Sequence, residues 1–294
     1  MTRAAQSLDV YQAVTDRIIA ALESAPDNVT MPWHRPGLDS LLPKNAATHN
    51  GYRGINVLSL WAEAQLSGFT HNLWATYKQW QEIGAQVQKG AKSSIVIFYK
   101  EFEVEPEADE DNGKRRVAKA SRVFNVSQVE GFELPSPPEN LGPIERNARA
   151  DAMVAATGAD IRHGGQAAYY RPIADYIQMP DEGLFVDGAH RCRSEAYYSV
   201  LFHELGHYAG AENRLNRQLG NRFGSPEYAL EELIAELTSA FLCAELQFSP
   251  QPRPDHAHYI ANWLKALKSD KRAIFTAAAR AAEAAAFIQA KPSP

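Results

Sequence analysis

At 294 residues, 45% hydrophobic and 22% charged, the chain has the length for two domains and the composition of a globular protein. Two cysteines, Cys192 and Cys243, make no disulfide framework and fit a reducing cytoplasm. No apolar run reaches the roughly 18 residues of a membrane span, and Met1 to Gln6 is polar with no hydrophobic run behind it, so neither an anchor nor a signal peptide is expected.

In chain order, residues 8–24 place Val10, Val14, Ile18 and Leu22 at helical spacing and predict an amphipathic helix. Residues 26–54, rich in Pro, Gly and Asn, predict an ordered loop. Short helices are expected over 55–66 and 76–83, and a strand over 94–104. Residues 101–111 carry seven acidic side chains and lead into Asn112-Gly113, the chemistry of a solvated hairpin loop, before a strand over 115–129. The run Pro135-Ser136-Pro137-Pro138 marks a domain boundary. A helix is expected over 144–157, and 169–185 alternates like a hairpin or edge strand broken at Met179-Pro180. Two further helices follow, one over 195–209 capped by Ser194 and one opened by Ser225-Pro226. Residues 255–290 read as one long Ala-rich helix.

A net charge of −5 does not advertise nucleic-acid binding, but it conceals a local excess. Between residues 35 and 100 stand seven basic residues (Arg35, Lys44, Arg53, Lys78, Lys89, Lys92, Lys100) against three acids. They are interleaved with Trp33, Tyr52, Trp61, Trp74, Tyr77, Trp80, Phe98 and Tyr99. In a single-strand groove, bases stack on rings and Lys or Arg tracks the phosphates. Tyr52, Arg53, Trp74, Tyr77, Lys78, Lys89 and Lys92 are the candidate contacts, with Lys89-Gly90-Ala91-Lys92 as a phosphate-binding turn. Trp61 and Trp80, flanked by apolar residues, are expected in the core.

The second signal is His203-Glu204-Leu205-Gly206-His207. Two histidines at i and i+4 leave a helix on one face and converge on one metal ion, with Glu204 beside them as a general base. Gly206 costs about 1 kcal/mol in a helix interior, so its missing side chain is expected to admit another element close by. The third ligand is open between two places. His207-x-x-Gly210-x-x-Asn213 mimics the metzincin extension, but Asn213 offers a neutral amide and no Met-turn follows. On the helix after Ser225-Pro226, Glu232 and Glu236 stack at i, i+4 with no Lys or Arg between Pro226 and Leu246 to offset them. Glu232 is taken as the ligand and Glu236 as the partner that orients a histidine; the reverse order fits the spacing too, and Glu231 fits less well. Three protein ligands leave a position for water, whose proton Glu204 would take. His256, His258 and Tyr259 are candidates for helping an oxyanion.

These runs resemble the ArdC-type antirestriction proteins of conjugative plasmids, over essentially the whole chain. In the N-terminal half the resemblance lies in Asn50-Gly51-Tyr52-Arg53-Gly54-Ile55-Asn56, Thr76-Tyr77-Lys78-Gln79-Trp80, Gly84-Ala85-Gln86-Val87-Gln88-Lys89-Gly90 and Val123-Phe124-Asn125-Val126. In the C-terminal half it lies in the segment from Asp175 to Pro180, Phe202 to His207, Arg214 to Arg217, Tyr228 to Glu236 and Ser269 to Arg272. The resemblance implies an α+β protein of two domains: an N-terminal α/β single-stranded-DNA-binding domain and a C-terminal zincin-like metallopeptidase domain. Their expected extents are 1–134 and 144–294, with 135–143 as linker. It also implies a divalent metal on His203, His207 and Glu232, sequence-independent binding of single-stranded DNA, and protection of incoming plasmid DNA from restriction. Zinc is the expected metal, with manganese as the alternative. The segment around 175–179 would be the edge strand on which a peptide adds. A competing expectation is a cytoplasmic zinc metalloprotease that acts on a host protein and uses its N-terminal half for substrate recognition. Neither expectation involves a membrane.

Overall fold

The computed structural model describes residues 9–24, 42–103, 114–134, 143–185, 187, 192–217, 219, 225–248 and 256–290, with the backbone alone at 100–103, 114–116, 143–146 and 256–262. The acidic hairpin loop and most of the expected linker therefore lie outside the described residues, as do the side chains of His256, His258 and Tyr259.

The first helix, α1 (Val10–Glu23), starts where the Asp9 carboxylate accepts the Gln12 N–H. Its buried face is Val14, Ile18, Ala21 and Leu22. A short strand β1 (Lys44–Asn45) leads to α2 (Ile55–Ser67), which is buried on nearly every side and ends on Gly68 in the left-handed conformation. Strand β2 (Leu73–Ala75) precedes α3 (Tyr77–Glu82), opened by a reciprocal cap between Thr76 and Gln79. Strand β3 (Gln86–Val87) and the long antiparallel pair β4 (Ser94–Glu103) and β5 (Lys114–Asn125) follow. One sheet has the order β1-β2-β5-β4.

The strand expected over 115–129 is shorter. The Asn125 side chain accepts the Ser127 N–H, while Gln128 accepts the Asn125 N–H. That turn redirects the chain, so β6 (Val129–Glu130) pairs with β3 as a separate two-stranded ribbon. Trp80 lies beneath this ribbon, wholly buried, with its indole N–H donated to the Phe124 carbonyl.

In the C-terminal half, α4 (Pro143–Ala156) precedes a three-stranded sheet of β7 (Asp160–His163), β8 (Tyr169–Arg171) and β9 (Tyr176–Met179), in the order β7-β9-β8. The segment expected to form an edge is thus the central strand. Its backbone is committed on both sides, parallel to β7 and antiparallel to β8. Two helices, α5 (Arg193–Ala209) and α6 (Pro226–Glu245), lie across one another. α5 begins two residues earlier than expected: Cys192, not Ser194, occupies the N-cap, its N–H donated to the Glu195 carboxylate.

The expected Ala-rich helix is two, α7 (His256–Ser269) and α8 (Ala273–Gln289). Between them the Asp270 side chain accepts the Arg272 N–H at 2.8 Å, a local bond that competes with helix continuation.

The two halves share their interior. One buried cluster runs from Val14 and Trp61 through Leu205 and Leu237 to Ile288. Trp61 of α2 meets Phe241 of α6 with ring centroids 6.0 Å apart. The Thr15 hydroxyl donates to the Lys271 carbonyl, and Arg17 forks Glu63 of α2 at 2.7 and 2.8 Å. Among the described residues no helix is long and apolar enough to cross a membrane.

Candidate metal centre

The crossing of α5 and α6 is set by small residues. A Cβ on Gly206 would lie 2.9 Å from Ala235 Cα, so glycine alone lets the helices come this close. One turn away the Ser239 hydroxyl donates to the Ser199 carbonyl at 2.7 Å. The close approach brings the faces of the two helices together as the missing side chain of Gly206 led us to expect.

On those faces stand His203, His207 and Glu232, whose ligating atoms all lie within 4.8 Å of one another. His203 Nε2 is 3.5 Å from one Glu232 oxygen and His207 Nε2 is 3.6 Å from the other. The two imidazole planes stand at 79°. Each Nδ1 faces a further carboxylate: His203 Nδ1 lies 3.4 Å from Glu236, and His207 Nδ1 lies 3.2 Å from Glu231. A carboxylate behind a histidine fixes its tautomer and turns the other nitrogen toward a shared point. Two imidazoles and one carboxylate, with those nitrogens already oriented, suit a divalent metal of zinc type.

The electrostatics agree with the geometry. Burial pushes the Glu232 carboxyl up, but the hydrogen bond from His203 and the charges of His207 and His203 outweigh it and bring it to about 2. Glu231 behaves alike: burial raises it, while His207 and Arg217 hold it below the usual carboxylate range. Glu204 and Glu236 are buried as well.

At the level of sequence, Glu231 is only a less suitable ligand and Arg217 has no role at the site; the structure joins them. The Arg217 guanidinium donates to both Glu231 oxygens, at 3.0 and 2.8 Å, and to the Gly206 carbonyl at 2.6 Å. Gly210 makes room for it, since a Cβ there would sit 2.6 Å from an Arg217 nitrogen. The signal available was an acidic helix face with no cation of its own, which calls for one from elsewhere. Asn213 is exposed in the turn after α5, outside the converging group.

A second fastening holds the small sheet. Arg214 stacks 3.5 Å above the Tyr208 ring and forks Asp175 at 2.5 and 3.1 Å, while the Tyr170 hydroxyl donates to Asp175.

The N-terminal candidates divide. Arg53, Tyr77, Lys78, Lys89 and Lys92 are exposed, and Tyr77 and Lys89 line one groove. Two expected contacts are core residues instead. Trp74 is wholly buried against Phe69, and Tyr52 is 8% exposed with its hydroxyl accepting from Asn45. A ring with no free face has no surface for a base, so both leave the contact set. Trp61 and Trp80 are buried as expected.

Residues 8–127 match the N-terminal domain of anti-restriction factor ArdC, and residues 148–280 match a zincin-like metallopeptidase domain. The chain is 46% identical to the uncharacterized protein y4eC of Sinorhizobium fredii (strain NBRC 101917 / NGR234), over 97% of this chain and 93% of that one. It is 36% identical to a DNA primase TraC of Escherichia coli over 95% of its own length, but it spans only 27% of that primase. The metal-free crystal structure of the antirestriction ArdC protein from plasmid R388 superposes with a TM-score of 0.76 at 39% identity, covering 96% of this chain and 97% of that one. The Mn(II)-bound crystal structure of the same protein gives the same TM-score at 38% identity.

Proposed function

The chain belongs to the ArdC antirestriction family, and from that premise we propose that it binds single-stranded DNA and protects incoming plasmid DNA from a recipient's restriction enzymes. The observation that carries this reading is the groove in which an exposed ring, Tyr77, and an exposed cation, Lys89, stand together. Lys78 and Lys92 are exposed close by in the chain, and Arg53 is exposed as well. Rings that stack bases and cations that meet phosphates make binding largely independent of sequence. Similarity to a stretch of two DNA primases points the same way. The division into 1–134 and 144–294, joined by 135–143, follows the Pro-rich run.

His203, His207 and Glu232 would hold a divalent metal, with zinc favoured by affinity order and manganese by the relative from R388. When bound, such a metal supplies Lewis acidity, polarising a carbonyl and acidifying water. Glu204 accepts the proton of attacking water on its carboxylate. Glu236 and Glu231 keep the two Nδ1 atoms engaged so that both Nε2 atoms stay aimed at Glu232.

Glu204, buried and next in the chain to His203, favours a second reading, since a His-Glu-x-x-His glutamate is the residue type that serves as general base. In that reading the protein is a metallopeptidase that cuts a host protein or peptide, with the N-terminal half as its recognition domain. Both readings place the protein in the cytoplasm. A plasmid-transfer assay into a restricting host decides between them. Under the first, protection survives Glu204→Ala and is lost in a Tyr77→Ala, Lys78→Ala double variant. Under the second, Glu204→Ala abolishes it. Protection undiminished in the double variant, or no salt-sensitive retardation of a single strand in gels, sinks the DNA-binding reading.

A further inference from the structure

The groove beside Tyr77 has more chemistry than a non-specific track requires. It measures about 570 Å³ and is lined by Tyr77, Phe124, Gln86, Lys89, Gly90 and Glu130 among others. Phe124 meets Tyr77 edge to face, with centroids 6.4 Å apart, which fixes the angle of the exposed ring. The Gln86 side-chain amide donates to the Tyr77 hydroxyl at 3.1 Å and to the Val87 carbonyl at 2.9 Å, pinning the ring from the other end. One wall is the turn Gln88 to Ala91, closed by the Ala91 N–H on the Gln88 carbonyl, with Gly90 at φ +87°. Lys89 projects from that turn. The other wall is the β3–β6 ribbon, in which Gln86 pairs directly with Glu130, so the two side chains share one face.

The groove is therefore bipolar. Lys89 supplies a cation at one wall, and Glu130 supplies an exposed carboxylate at the other. A carboxylate repels a phosphate, so the part of a nucleotide that lies against Glu130 must present N–H donors. The exocyclic amines of cytosine, adenine and guanine do so. Thymine has no exocyclic amine, and its single N3–H lies between two carbonyl oxygens that a carboxylate repels. We propose that this groove is a subsite for one unstacked nucleobase with an exocyclic amino group, with Tyr77 as its stacking ring, Lys89 meeting its phosphate and Glu130 as the residue that selects it. The inference rests on the proposed single-strand binding and adds a base preference at one position of an otherwise sequence-tolerant track.

The test is fluorescence anisotropy with labelled twelve-nucleotide strands of cytidine and of thymidine, at low and at raised salt, using the full chain. Wild type is expected to bind the cytidine strand at least about five-fold more tightly, the low end for a base-edge contact. Glu130→Gln should bring the ratio close to one while leaving thymidine-strand affinity unchanged or raised. Tyr77→Ala should weaken both strands together. Equal affinities in the wild type, or a preference that persists in Glu130→Gln, overturns the base selection and leaves single-strand binding standing. Salt-sensitive binding to neither strand overturns both.

Discussion

Arg217 holds Glu231 by both of its oxygens, while the same carboxylate faces His207 Nδ1 at 3.2 Å. One guanidinium from the loop after α5 thus fixes the orientation of a histidine on α5 through a carboxylate on α6.

Removing the middle of that relay should show in metal affinity. Glu231→Gln keeps the size of the side chain but loses the charge that favours an Nδ1–H on His207. Titration calorimetry with Zn²⁺ and with Mn²⁺ is expected to show affinity lower by on the order of ten- to hundred-fold. Arg217→Met leaves Glu231 buried without its cation and should cost about 3 kcal/mol in thermal or urea unfolding. Unchanged metal affinity in Glu231→Gln would mean that the contact merely fills space.

Gly206→Ala sets two effects against each other. Alanine gains about 1 kcal/mol of helix propensity over glycine. The new Cβ, however, would meet Ala235 Cα at 2.9 Å, a contact with backbone that cannot swing away. Overpacking of this kind costs about 1–3 kcal/mol, so the packing term wins and the melting temperature should fall. Because residue 206 lies between the two histidines, metal affinity should fall too. Ala235→Gly in the same chain removes only the Ala235 Cβ, 3.3 Å from the new methyl, and keeps the Cα at 2.9 Å, so it should restore little of either.

The aromatic residues of the N-terminal half should separate into two classes. Trp74→Ala empties a wholly buried site and should cost about 3–5 kcal/mol of stability. Tyr77 is 45% exposed. Tyr77→Ala should leave unfolding within about 0.5 kcal/mol of wild type and weaken single-strand binding by about 1–3 kcal/mol. Chemical denaturation and anisotropy on the same preparations separate the two. Loss of binding without loss of stability in Trp74→Ala would reverse the assignment.

That division marks how far the sequence could be read. Spacing within one helix was legible: His203 and His207 share a face, Ser225-Pro226 opens α6, and Glu232 with Glu236 stands out as an acidic pair without a local cation. Relationships between elements were not. Basic and aromatic composition does not distinguish Trp74, turned into the core, from Tyr77, turned to solvent. Arg217 and Glu231 are joined only by the chain's return after α5. β7 shows no buried alternation along its four residues, so β9 looked like an edge although β7 covers it. Helix propensity along 255–290 does not register that one Asp270 carboxylate caps its own backbone two residues on.

The Asp175–Arg214 pair should give the small sheet a pH-dependent hold on α5. The hydrogen bond from Arg214 is the main reason the Asp175 carboxyl lies below its ordinary 3.8, with burial opposing and the Tyr170 hydroxyl assisting. A carboxyl lowered on folding adds stability that is complete above its unfolded value and is lost as pH falls through its folded value. The contribution should therefore be whole well above pH 3.8 and be lost progressively below it, as pH falls through the lower folded value. Asp175→Asn isolates it. Asp175 has φ +48°, and asparagine tolerates that left-handed conformation, so the substitution removes the charge without straining the backbone. The difference in melting temperature between wild type and variant should be constant near neutrality and shrink as pH drops past 3.8. Other carboxylates titrate in both proteins and cancel in that difference. A gap that stays the same through the acid range would show that Arg214 is held by its stacking on Tyr208 and not by the charge of Asp175.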